Sequence, residues 1–99
     1  MTHMRLWRFD VAAADEQRFL KTYGSDGAWA RLFATAPGFI RTELWQSSDG
    51  SYLTADHWSS RADFDRFQSG HGEEYRRLDR ELEGVAGVET FVGAFDLSS

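Results

Sequence analysis

His71 stands between Gly70 and Gly72 in the row Phe64–Asp79, FDRFQSGHGEEYRRLD. Phe67, His71 and Tyr75 follow at four-residue spacing, so a helix would carry all three on one apolar stripe. An imidazole titrates near neutrality and can take a proton from a bound compound as a general base. Two glycines inside a helix cost about 1 kcal/mol each relative to alanine. Such a cost is tolerated where a kink, a close approach or a ligand demands it. The same position also suits a core histidine hydrogen-bonded to a strand carbonyl or a tyrosine.

The row Tyr52–Ser60, YLTADHWSS, holds the next candidates. Alternate residues of a strand share a face, which puts Asp56 and Trp58 on one side and His57 on the other. Asp56 would orient His71 or pair with an arginine such as Arg41 or Arg61. Trp58 would either wall a pocket against a planar ligand or pack the start of the following helix. His57 is expected at the surface or an interface, and His3 in a frayed terminus. Trp7, Phe9, Tyr23, Trp29 and Phe33 are further candidate pocket walls, with Phe67 and Tyr75 from the later helix.

No metal site is expected, because the three histidines are far apart and none forms a helical ligand pair. The chain has no cysteine, which excludes disulfides, thiolate ligands and Cys nucleophiles. Its formal charge is −5 and its 11 basic residues are scattered. A nucleic-acid surface needs a basic stripe, so that class is disfavoured. Nucleotide-binding glycine loops and a Gly-x-Ser-x-Gly elbow are missing from the sequence. Met1 to Val11 lacks the apolar core of a signal peptide, and no stretch approaches a membrane span. The expectation is a soluble, cytoplasmic protein with no cofactor.

These residues need elements to position them, and 99 residues are one domain's worth of chain. Met4–Val11 alternates with period two and reads as a strand. The row AAADEQRFLKTY reads as a helix with acids near its start, interrupted by Gly24-Ser25-Asp26-Gly27. That joint is a candidate mouth or lid. A second segment, AWARLFATA, follows and stops at Pro37-Gly38. Phe39–Gln46 and Ser51–Trp58 flank a turn containing Asp49-Gly50, a strong hairpin signal. Ser60 and Asp63 resemble a capping box. They open one long helix, with Phe64, Phe67, His71, Tyr75, Leu78, Leu82 and Val85 inward and Gly84 and Gly87 at its close. Val88–Phe95 forms the last strand.

The order β-α-β-β-α-β predicts an α+β, ferredoxin-like fold, a four-stranded antiparallel sheet with the helices on one face. The single domain spans 1–99, with a core at about 4–95 and a tail at 96–99. Fifteen per cent of the chain is aromatic, a heavy load for so small a core. Some of these rings fall on the uncovered sheet face, for which a second copy of the chain is the natural cover.

From Met4 to Phe95 the chain resembles the antibiotic biosynthesis monooxygenase family of the dimeric α/β-barrel superfamily. The residues that carry the resemblance are APGF (Ala36–Phe39), TEL (Thr42–Leu44), YLTADHWSS (Tyr52–Ser60) and FDRFQSGHGEEYRRLD (Phe64–Asp79). The resemblance implies a homodimeric barrel with the two sheets facing each other, and a pocket between sheet and helices in each subunit. It also implies a small apolar or aromatic ligand and, for some members, oxygenation of phenolic or quinol-like compounds without metal or flavin. Other members degrade haem with a set that includes asparagine, and this chain contains no asparagine. Phe67 falls about where those members carry a helical tryptophan, and Tyr75 or a neighbour near their iron-ligating histidine. Haem degradation is therefore the least favoured reading. The leading expectation is a cofactor-independent, monooxygenase-like protein with His71 as base and Asp56 as its orienter. The alternative is a non-catalytic barrel that binds a small ligand or has a structural role.

Overall fold

Alternating apolar and polar residues build the sheet of the computed structural model, which describes residues 2–98. Strand β1 runs His3–Asp10, β2 Phe39–Gln46, β3 Tyr52–Trp58 and β4 Val88–Asp96. All neighbours are antiparallel, in the order β2-β3-β1-β4. The Asp49-Gly50 turn joins β2 to β3, and Asp49 accepts hydrogen bonds from the backbone and hydroxyl of Ser51 at 2.9 and 2.6 Å.

Four helices complete the fold: α1 (Glu16–Tyr23), α2 (Ala28–Phe33), α3 (Arg61–Gly70) and α4 (Gly72–Glu81). A short 3-10 turn at Ala13–Asp15 leads into α1. Ser60 caps α3, its hydroxyl accepting from the Asp63 amide at 3.1 Å. The single long helix expected from Ser60 onward is in fact two. His71 sits between them with φ −121° and ψ 22°, outside helical geometry. The glycines on either side lower helix propensity enough for the turn to open there. The helical spacing survives across the joint, because the His71 amide still donates to Phe67 O and its carbonyl accepts from Tyr75 N, both at 2.9 Å.

Register sets which side chains face the helices. Arg5, Asp56 and Thr42 stand side by side across β1, β3 and β2, as do Trp7, Thr54 and Leu44. On this face Phe9, Phe19, Tyr23, Phe33, Tyr52, Trp58, Phe64 and Phe67 form a continuous aromatic core. Trp58 meets Phe33, Phe39 and Phe64 edge-on at centroid distances of 5.2–5.8 Å. Burying rings of this size contributes about 2–3 kcal/mol each. The expectation for His3 was a frayed terminus, and the structure corrects it. His3 opens β1, is 2% exposed, and holds Asp96 of β4 at 2.8 Å. Pairing on both sides, with Trp58 and Asp96, removes the freedom of a chain end.

The opposite face carries Leu53, Ala55 and His57 of β3 with Trp45 and Glu43 of β2. Among the described residues it has no helix above it, and Trp45 and Phe95 are 58% and 47% exposed. No helix of the described residues is long and apolar enough to cross a membrane.

Candidate active site

Between the helix side of the sheet and α1, α2 and α4 lies an aromatic-walled cavity. Strand β1 contributes Trp7 and Phe9, α1 Tyr23, and α2 Trp29 and Phe33. Tyr75 and Asp79 come from α4, one turn apart, and Glu89 from β4. The floor is polar: Thr42, Thr54 and Asp56 reach it from β2 and β3. Tyr75 packs on Trp29 at a centroid distance of 4.9 Å, which narrows the slot. The cavity's free volume is about 50 Å3. Its walls are therefore nearly closed on one another.

Asp56 is the buried acid of this cavity, 9% exposed. Thr42 donates its hydroxyl to Asp56 Oδ1 at 2.7 Å. Removal from water pushes the carboxyl up to about 6, against smaller stabilising effects of the Thr42 hydrogen bond and the charge of Arg5. Arg5 is its partner in register, yet the guanidinium lies over the rings of Phe64 and Phe91, at 4.1 and 4.8 Å. That placement explains why desolvation wins: no cation pairs with the carboxylate among the described residues. A carboxyl group poised near 6 is suited to proton transfer at neutral pH.

The rim differs from the floor. Asp79 and Glu89 are solvent-exposed, and Tyr23 donates a long hydrogen bond to Glu89 Oε1 at 3.4 Å. Burial and the neighbouring Asp79 raise the Glu89 carboxyl above its usual range. Burial also raises both Tyr23 and Tyr75, so both phenols stay neutral and able to donate. The buried indole N–H of Trp29 acts on the Tyr23 hydroxyl and offsets part of that rise, although it falls short of full hydrogen-bond geometry.

The candidates named from sequence separate in space. Trp7, Phe9, Tyr23, Trp29, Tyr75 and Asp56 meet in the cavity. Trp58 and Phe67, at 0% and 1% exposure, sit in the core and are not among the lining residues. His71 is also absent from the lining: its ring stacks on Phe67 at 5.1 Å and its Nδ1 is buried without a partner. Thr42 rather than His71 holds Asp56. Arg41 lies by Glu43 and Arg61 by Asp65, so neither of the arginines expected beside Asp56 reaches it. His57 points to the helix-free face, its Nε2 2.7 Å from Glu43 Oε1. The Gly24–Gly27 joint is a tight turn, with Gly27 N donating to Gly24 O at 2.9 Å, and does not line the cavity. Among the described residues, no three His, Cys, Asp or Glu side chains lie close enough to hold a metal ion.

Sequence reasoning missed Thr42, Thr54, Asp79 and Glu89. Thr54 was within reach, being two residues from Asp56 on one strand face, and Asp79 lies one turn beyond Tyr75. Thr42 and Glu89 depend on strand register, which alternation alone does not fix.

Comparison with known proteins places this geometry. The family model for antibiotic biosynthesis monooxygenase matches residues 3–81. Among solved structures, the chain is similar to a variant of SnoaB, a cofactor-independent oxygenase from Streptomyces nogalater. That likeness has 23% identity, a TM-score of 0.65, and coverage of 99% of this chain and 94% of that one. It is also similar to the monooxygenase from the gene ActVA-Orf6 of Streptomyces coelicolor in complex with nanaomycin D. There the identity is 18% and the TM-score 0.68, over 98% of this chain and 88% of that one. At these identities the structural likeness establishes the fold. No curated protein matches the sequence significantly. The family match covers most of the length and includes every lining residue except Glu89, so the chain belongs to the antibiotic biosynthesis monooxygenase family.

Proposed function

We propose that this protein oxygenates a planar phenolic or quinol-type compound with molecular oxygen, without a bound cofactor, and that Asp56 is its general base. One observation carries the reading: a carboxyl group raised to about 6 lies on the floor of an aromatic-walled slot. The cofactor-independent oxygenase among its structural relatives is consistent with it. Asp56 would take the proton that turns an anthrone-like ring into its electron-rich anion. The anion passes one electron to oxygen, and the radical pair combines into a carbon-bound peroxide. Protonation and loss of water leave a carbonyl, so one oxygen atom enters the product and the other leaves as water. Trp7, Trp29 and Tyr75 would hold the ring plane, and the Tyr23 hydroxyl would face an oxygen substituent.

The working form is read as a homodimer. The helix-free sheet face, with Trp45 and Phe95 exposed, supports pairing of two copies. A second reading, a non-catalytic barrel with a structural role, is favoured by the nearly closed slot: any planar guest requires Tyr75 or Trp29 to move.

Oxygen uptake by metal-free protein against anthrones, hydroquinones and catechols separates these readings. Asp56→Asn is expected to lower the rate about 100-fold, the usual scale for losing a general base, and His71→Ala only a few-fold. The opposite pattern would return the base to His71. Binding without uptake across the panel would favour a barrel that only holds a ligand, and no binding at all the structural one.

A further inference from the structure

Among the described residues, the charged side chains that line the cavity are all acidic, although the charge of Arg5 is felt from beyond the lining at Asp56 and Tyr75. Asp56 on the floor and Asp79 and Glu89 on the rim are lining carboxylates, and no lysine, arginine or histidine lines it with them. Ion pairs among the described residues fall elsewhere: Arg8 with Asp10 and Asp49, Arg41 with Glu43, Arg61 with Asp65, and Arg66 with Asp63. Arg5, the nearest cation to Asp56 in register, spends its guanidinium on the rings of Phe64 and Phe91. One further feature marks this as a place for a guest. Asp56, about nine-tenths buried, has a hydrogen bond on Oδ1 and no partner for its other oxygen among the described residues. Electron-rich faces of Trp7, Trp29, Tyr23 and Tyr75 attract cations and repel anions.

We propose that this cavity selects planar aromatic ligands bearing a basic amine over the same scaffold bearing a carboxylate, with the ring in the slot and the ammonium between Asp79 and Glu89. The proposal rests on the cavity being the ligand site. An anion brought to this rim would meet two carboxylates and a wall of ring faces, whereas an ammonium group meets a partner in each. The exposed rim makes the preference salt-dependent.

Calorimetric titration of the whole protein with 1-naphthylmethylamine, 1-naphthalenemethanol and 1-naphthoate tests it. At about pH 8 and low salt, the amine should bind at least about tenfold more tightly than the carboxylate, with the neutral alcohol between them. The double variant Asp79→Asn, Glu89→Gln should bring the ratio below about threefold and leave the alcohol unchanged. Both residues are exposed, so the variant is expected to fold. Equal binding of amine and carboxylate, or a ratio that survives the double substitution, would overturn the charge selection and leave the cavity as a ligand site. If none of the three bound, the ligand-site reading itself would fall.

Discussion

Asp56 carries a cost as well as a chemistry. Its carboxyl is raised from 3.8 to about 6, so between those values the folded chain holds a proton that the unfolded chain has released. Stability therefore falls as pH rises through that window and is flat above it. The full penalty is about 3 kcal/mol. Asp56→Asn removes the titration. Relative to the parent, the variant should gain about 2 kcal/mol of stability between about pH 4.5 and about pH 7.5. Urea unfolding at the two pH values reads this directly, and a parent-variant difference that does not change with pH would mean that Asp56 is hydrated in solution. The sequence placed Asp56 on the same strand face as Trp58, but neither which face meets the helices nor that Asp56 is alone there. His71 looked like the natural base because helical spacing placed it between Phe67 and Tyr75. Its ring instead stacks on Phe67, one turn back, and spacing alone does not tell a residue packed on its own stripe from one that reaches a cavity.

At the scale of elements, the strands, the hairpin and the helix cap were all readable, because alternation, Asp-Gly and Ser-x-x-Asp each have a local cause. What joins α4 to β4 was not. Gly84 and Gly87 both have positive φ, +85° and +65°, but their surroundings differ. A Cβ at Gly84 meets nothing within 4 Å, while at Gly87 it would stand 2.2 Å from the Asp10 carbonyl oxygen. Gly84→Ala is expected to cost about 1 kcal/mol, the left-handed backbone penalty alone. Gly87→Ala should cost about 3 kcal/mol or more, because backbone at the end of β1 must also yield. Thermal melts of the two variants give the comparison, and equal shifts would show that this contact relaxes freely.

For the molecule as a whole, the sheet has one face buried under helices and one without a cover. Two copies meeting there would enclose Trp45 and Phe95, which are 58% and 47% exposed in the single chain. Light scattering at micromolar concentration should give about twice the 11.3 kDa chain mass. Phe95→Arg, which buries a charge in that interface, should shift the mass toward one chain. A parent protein of single-chain mass would remove the dimer reading and leave the cavity argument untouched. The surplus of aromatic residues was the ground for expecting a cover on the second face. Composition counts rings without saying which side of a strand they take, so the pairing geometry stayed out of reach.

Strand β4 is the sheet's outer member next to β1, and every one of its nine residues except Gly93 is exposed. Its unused backbone amides and carbonyls form a template on which another extended segment can grow, flanked by Val88, Phe91, Val92 and Phe95. Glu89 and Asp96 are the only charges along it, one near each end. An edge of this kind is a colloidal hazard for a single chain, because it invites strand-to-strand coalescence with another extended segment. Acidic side chains at the two tips of β4 then act as gatekeepers against fibre growth, a duty independent of anything held in the cavity.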